Sequence, residues 1–309
     1  DPRQEKIDLG VGVYKDAHGN TPIMRSIKEA ESQLWNTEST KTYTAMTGDS
    51  GFHNAMADLV LADSVDQDRV SFCATPGGTG AIHHVLELVK LTETNPTIWF
   101  SDPTWGNHLT IAKHLNMQIG KYSYFDNETR SVDFKAMLSD LSNVANGDIV
   151  VLHGCCHNPT GANLSKDQWN IISELLLEKE AIPFIDIAYQ GFGEGIEEDA
   201  FGTRLLASKF PEMFIAASCS KNFGIYRERC GIVMAISKNP DISIITQGNL
   251  SYVNRQNFSF PPDHGARLVT MVLRDADLRA DWASELEQVR IGMLDARTHL
   301  AEALRTECN

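Results

Sequence analysis

Along the middle of the chain, hydrophobic residues recur in two rhythms. Short unbroken apolar runs, rich in β-branched and aromatic residues, fall at 97–100, 149–152, 183–187, 213–217 and 231–235. Runs of this length predict strands buried on both faces. Between them apolar positions return at helical spacing, as over 166–178, which predicts amphipathic helices. Strand and helix in alternation predict an α/β fold built on a mostly parallel sheet flanked by helices. Ligands of such sheets bind beyond the carboxyl ends of the strands. The chemically interesting segments fall there: 102–108, 153–161, 188–193 and 218–221. From about residue 276 to 305 the chain turns charged and helical, with Leu278, Trp282, Leu286, Val289, Met293 and Leu300 at helical spacing. No strand pattern follows before Asn309, so this last helix reads as unfinished.

A chain of 309 residues is long enough for a large core and more than one domain. Its 42% hydrophobic and 22% charged residues are the balance of a soluble globular protein. The formal net charge of −14 argues against nucleic acid, whose phosphates need clustered Lys and Arg. Small anionic substrates stay open, because they answer to local arginines. No apolar run has the length of a membrane span, and the polar opening Asp1-Pro2-Arg3-Gln4-Glu5-Lys6 lacks a signal-peptide pattern. The cysteines, Cys73, Cys155, Cys156, Cys219, Cys230 and Cys308, show no zinc spacing, and the neighbours Cys155 and Cys156 are poorly placed for a structural disulfide. The expectation is buried free thiols in a reducing cytoplasm.

The most telling stretch is Ser218-Cys219-Ser220-Lys221-Asn222-Phe223-Gly224, with Arg229 close behind. The apolar run before it delivers Lys221 to a strand end. Burial lowers a lysine's pKa, and a neutral amine condenses with a carbonyl to form a Schiff base. Hydroxyls and an arginine nearby suit a phosphate, and Schiff base plus phosphate points to pyridoxal phosphate. Four other segments stand at strand ends. Thr75-Pro76-Gly77-Gly78-Thr79-Gly80 reads as an anion cup at a helix N-terminus or, equally, as a capping turn. His153 and His157 flank Cys155 and Cys156 before Asn158-Pro159-Thr160-Gly161; they suggest metal, but isolated histidines of this kind are more often structural. Asp186 ends a buried run and needs a partner, either a protonated pyridine nitrogen or a local arginine or helix N-cap. Trp105 offers a flat face for an aromatic cofactor, or simply fills the core.

Taken together, these segments resemble the fold-type I pyridoxal-phosphate enzymes, specifically the aspartate and aromatic amino acid aminotransferases. The likeness runs from Ile7-Asp8-Leu9-Gly10-Val11-Gly12-Val13-Tyr14 to the last helix, and His157-Asn158-Pro159-Thr160-Gly161 and Ser220-Lys221-Asn222-Phe223-Gly224 are its most specific parts. The resemblance implies that Lys221 holds the cofactor and shuttles the proton between the substrate Cα and the cofactor. It implies that Asp186 pairs with the pyridinium nitrogen, with His108 behind it. Trp105 would stack on the ring, and Asn158 and Tyr189 would bond its phenolic oxygen. Gly78, Thr79, Ser218, Ser220 and Arg229 would form the phosphate cup. Tyr43, also counted as catalytic, would reach the neighbouring subunit's phosphate, and Arg255 would cross a homodimer to the substrate's distal carboxylate. Gly12, Trp105 and Asn158 would line the substrate side. The implied reaction is a ping-pong transfer of an amino group from aspartate, tyrosine or phenylalanine to 2-oxoglutarate. No metal is implied.

The implied domains are an N-terminal part of a small domain (1–21), a large cofactor-binding domain (22–288) and the start of a connecting helix and small domain (289–309). The C-terminal small domain, with the family's arginine for the substrate's α-carboxylate, has no counterpart in the sequence given. That keeps open a catalytically incomplete fragment, and a decarboxylase or lyase of the same fold is the other alternative. Phe260, in Ser259-Phe260-Pro261-Pro262, stands where aspartate-preferring members have Asn, which leans toward aromatic substrates.

Overall fold

A computed structural model describes residues 2–3, 10, 12–92 and 94–307. Ile7, Asp8, Leu9 and Val11 of the family-like opening, and Cys308, lie outside the described residues. The strands, in chain order, are β1 (Val70–Pro76), β2 (Thr97–Asp102), β3 (Gln118–Ser123), β4 (Phe125–Asp126), β5 (Ser131–Val132), β6 (Ile149–His153), β7 (Ile182–Ile187), β8 (Met213–Ser218) and β9 (Cys230–Ile236). The helices are α1 (Arg25–Thr37), α2 (Ser50–Val60), α3 (Gly77–Lys90), α4 (Gly106–His114), α5 (Phe134–Leu141), α6 (Lys166–Glu178), α7 (Phe201–Lys209), α8 (Pro240–Asn257), α9 (His264–Arg274) and α10 (Ala276–Glu307).

Seven strands form one sheet in the order β1-β9-β8-β7-β6-β2-β3, while β4 and β5 make a small separate ribbon. The expected mostly parallel α/β sheet is present, with one reversal. β9 runs antiparallel to both of its neighbours, β1 and β8. The other strands therefore end at one edge of the sheet, and β9 begins there.

Side chains alternate across each strand, so the core divides into two layers. Val150, Leu152, Ile185, Ile187 and Ile215 pack on one face with α1, α2, α6, α7 and α9 residues. Ile149, Val151, Phe184, Ala216 and Val233 pack on the other with α3 and α4. Asp186 lies two residues beyond Phe184, and so on that second face.

Local chemistry sets the helix starts. Ser165 and Gln168 form a reciprocal capping box at α6. Asn239 caps α8, and Pro240 supplies its first position. The long final helix is buried only at Leu278, Trp282 and Leu286. Met293 and Leu300, farther along the same helical spacing, are exposed, because no described element covers that half of α10. Trp282 anchors the buried half, stacked on Phe223 with centroids 4.7 Å apart and donating from Nε1 to the Asn222 carbonyl at 2.7 Å. This fixes the segment that carries Lys221.

Candidate active site

A cavity of about 370 Å³ opens where the strand ends converge. At one end lies the glycine cup. Gly77 has φ +72°, and a Cβ there would stand 2.5 Å from Nη2 of Arg229. Only glycine accepts both conditions. Gly78 packs tightly on Ser218, where a Cβ would be 3.1 Å from the serine Cβ. Opposite them, Arg229 donates to the Ser220 hydroxyl at 3.4 Å and to the Tyr226 carbonyl at 3.0 Å. Among the described residues no carboxylate forms an ion pair with Arg229. Gly78 and Thr79 at the start of α3, with Ser218, Ser220 and Arg229, thus line a cationic, donor-rich concavity suited to a phosphate.

The other end is built on β7. Asp186 is buried, and its Oδ2 accepts from Nε2 of His108 at 2.9 Å. Nδ1 of His108 meets the Thr104 hydroxyl at 2.8 Å, which lies 3.3 Å from Nε2 of His153. Nδ1 of His153 faces the Asn158 backbone N–H at 3.3 Å. One proton assignment satisfies all of these contacts. Asn158 N–H donates to His153, His153 Nε2–H to Thr104, the Thr104 hydroxyl to His108, and His108 Nε2–H to Asp186. Burial pushes the His153 pKa down to about 4, which keeps its ring neutral. For Asp186, burial alone would raise the pKa. The hydrogen bond from His108 and the positive charge of Lys221 outweigh it, and the Asp186 pKa lies below the ordinary carboxylate value.

Lys221 faces this carboxylate across the cavity. Burial lowers its pKa, Asp186 opposes the shift and Arg229 reinforces it. Its Nζ sits 4.8 Å from the centre of the Tyr189 ring. Asn158 and Tyr189 both line the cavity. Trp105, at the entrance to α4, meets His108 edge-on at 5.4 Å and forms another wall. Gly12 lines the opening.

The cavity therefore gathers Gly12, Gly78, Thr79, Trp105, Asn158, Asp186, Tyr189, Ser218, Ser220, Lys221 and Arg229, with His108 directly behind. Tyr43 and Arg255 do not line it. They share an exposed patch, where Tyr43 stacks on Phe260 at 4.6 Å and Arg255 lies over the same ring while donating to the Ser259 hydroxyl. His157 is a structural residue. It is stacked on Tyr124 at 3.8 Å, and its nitrogens are taken by Ser101 and Thr160. The sequence patterns did not mark Tyr226, whose hydroxyl accepts the Tyr14 N–H at 3.1 Å and ties the N-terminal segment over the cavity. Its place between Lys221 and Arg229 was the available signal.

With that geometry in view, relatives separate a cofactor enzyme from a mere anion site. Residues 4–308 match the family described as aminotransferase class I and II. The chain belongs to this family. As an aminotransferase it is 53% identical to the aromatic-amino-acid aminotransferase of Paracoccus denitrificans over 305 residues, covering 99% of this chain and 77% of that protein. It is 37% identical to the aspartate aminotransferase of Escherichia coli K12 over 293 residues, covering 94% and 74%. A solved aromatic amino acid aminotransferase with 3-indolebutyric acid superposes with a TM-score of 0.97 at 53% identity, over 99% of this chain and 78% of that one. The aromatic-amino-acid aminotransferase of Burkholderia pseudomallei, covalently bound to pyridoxal phosphate, superposes with a TM-score of 0.96 at 36% identity, over 99% and 77%. This aminotransferase chain thus spans about three quarters of the length of those relatives.

Proposed function

We propose that the chain uses pyridoxal phosphate, bound in this cavity, to move the amino group of an aromatic L-amino acid or aspartate to 2-oxoglutarate in two half-reactions of a ping-pong cycle. The observation that carries the proposal is the shape of one cavity. A depressed-pKa lysine and an ionised buried aspartate face each other beside an anion cup that a single Cβ would fill. A phosphorylated pyridine aldehyde matches this donor set group by group. Bound there, it supplies an aldehyde to capture amines and an electron-accepting ring.

The chain's own residues do the rest. Lys221 is the amine that condenses with the aldehyde and carries the proton to and from the substrate Cα. Asp186 holds a proton on the pyridine nitrogen, and the chain of bonds through His108, Thr104 and His153 fixes its orientation. Asn158 and Tyr189 donate toward the phenolic oxygen. Trp105 covers the ring face and excludes water, and Gly12 borders the substrate side. Gly78, Thr79, Ser218, Ser220 and Arg229 anchor the phosphate.

The functional unit in the proposal is a homodimer. Large apolar side chains lie open on α1, α8 and the 38–47 segment, including Trp35 (86% exposed), Tyr43 (79%) and Ile244 (72%). Patches of that kind mark interaction surfaces. Tyr43 and Arg255 sit on it, away from the chain's own cavity, and are assigned to the partner's site as a phosphate ligand and a carboxylate ligand. Phe260 between them favours aromatic substrates. The proposal keeps the division into a large domain at 22–288 with small-domain parts at 1–21 and 289–309, and a cytoplasmic setting; among the described residues no helix is long and apolar enough to cross a membrane.

The test is an absorption spectrum of the protein with added pyridoxal phosphate, alongside an amine-transfer assay with phenylalanine, tyrosine or aspartate and 2-oxoglutarate. A pH-dependent visible band that is absent in Lys221→Ala, together with transfer activity, is expected. A band unchanged in Lys221→Ala, or release of carbon dioxide or ammonia without transfer, would overturn the proposal.

A further inference from the structure

Cys155 and Cys156 follow β6 after Gly154, and both are free thiols. In an extended strand, neighbouring side chains point to opposite faces. Here Cys156 has φ +47°, in the left-handed region, and the alternation breaks. The two Sγ atoms and a carboxylate oxygen of Asp199 lie within 4.8 Å of one another. Asp199 is already committed, accepting the N–H groups of Gly191, Gly193 and Glu194 at 2.8, 2.9 and 2.9 Å. Three N–H groups thus already occupy most of its accepting positions. What the cluster offers freely is two sulfurs.

A second cavity, of about 240 Å³, opens beside the pair; His153, Cys155, Trp169 and Asp199 form part of its wall. Cys155 borders the cofactor cavity as well. Cys156 is half-buried, and Cys155, though buried at 7% exposure, forms part of the wall of both cavities, so the pair is approached through Cys156. Among the described residues, the other neighbouring thiols, Cys219 and Cys230, are more deeply buried, at 0% and 3% exposure.

We propose that Cys155 and Cys156 form a vicinal dithiol site for trivalent arsenic and equivalent two-thiol electrophiles. With an aryl arsenoxide, two S–H bonds and the arsenic–oxygen bonds break, two S–As bonds form, and the oxide oxygen leaves as water carrying both thiol protons. Arsenic stays trivalent, so no oxidant or reductant is needed. The second sulfur adds within one molecule, which makes the chelate far more durable than an adduct to any single cysteine. Because Cys155 borders the cofactor cavity and Asn158 shares its turn, the adduct also disturbs the cofactor side.

The test is phenylarsine oxide added to the pyridoxal-phosphate-loaded protein, read by intact mass and peptide mapping. One phenylarsenic group per chain is expected on the peptide holding residues 155 and 156. It should survive excess monothiol, leave with 2,3-dimercaptopropanol, and be lost in Cys156→Ser and in Cys155→Ser. It should persist in Cys230→Ser, which leaves the pair untouched. A shift of the cofactor's visible band should accompany it in the unmodified sequence. No monothiol-resistant adduct, an adduct retained in Cys156→Ser, or one lost in Cys230→Ser would overturn the proposal. The mass readout does not depend on the transaminase proposal, so the two fail separately.

Discussion

In the proposed reaction Asp186 is the residue on which the chemistry turns. Its position puts a carboxylate in a buried layer, and the bond from His108 keeps it ionised there. Asp186→Asn keeps the shape and removes the charge. The expected result is a fall in kcat/KM for amino transfer on the order of 10³-fold, the scale of losing a preorganised electrostatic partner. A change under tenfold would contradict its role. Two histidines behind the site give a separate pH signature. Burial lowers the His153 pKa to about 4 and the His157 pKa to about 2. Unfolded histidines take up protons near 6.5, so from pH 6.5 down toward 4 the unfolded chain binds more protons than the folded one. Stability should fall as pH drops through that window, by at most roughly 1.4 kcal/mol per pH unit for each group. Asp186 acts elsewhere. Its folded pKa is lowered, so its contribution is present above the ordinary carboxylate value and is lost only at more acid pH. Urea unfolding at pH 7 and pH 5 should show the histidine loss, and His157→Gln should reduce it. An equal loss in the variant would contradict the assignment.

At the scale of elements, the reversal of β9 explains the proposed phosphate cup. Because β9 starts at the edge where β1 and β8 end, Arg229 arrives beside Gly77, Gly78 and Ser218. Gly77→Ala should weaken pyridoxal phosphate binding at least about tenfold and cost about 1–2 kcal/mol, since the residue is left-handed and its new methyl meets Arg229. Equilibrium titration and denaturant unfolding check both, and binding within twofold of the unsubstituted protein would contradict the cup. Strand direction is not written in apolar runs, which is why the sequence could place Arg229 near Lys221 without saying how it gets there. The five runs at 97–100, 149–152, 183–187, 213–217 and 231–235 do match strands. β1 and β3 escape the pattern: Ser71 and Thr75 interrupt β1, and β3 is an edge strand with polar Gln118 and Lys121. Most of the cavity residues were legible because strand ends concentrate them. Thr104 and Tyr226 were not, since their roles arise from contacts distant along the chain: Thr104 to His153, Tyr226 to Tyr14.

At the scale of the whole molecule, Tyr43 and Arg255 lie off the chain's own cavity, and in the proposed homodimer they serve the partner's site. Lys221→Ala and Arg255→Ala disable different parts of the site. In a dimer with shared sites, each mixed pair holds one site with both defects and one with neither. Random mixing makes half the dimers mixed, so about a quarter of native activity toward a dicarboxylic substrate should return. Recovery no greater than the sum of the separate variants would contradict the shared site.

The central claim concerns a single bond, between Lys221 and the cofactor's aldehyde. Borohydride reduction of the pyridoxal-phosphate-loaded protein, followed by peptide mapping, tests it most directly. The account predicts one phosphopyridoxyl group per chain, on Lys221. A label on another lysine, or no label at all, would contradict it.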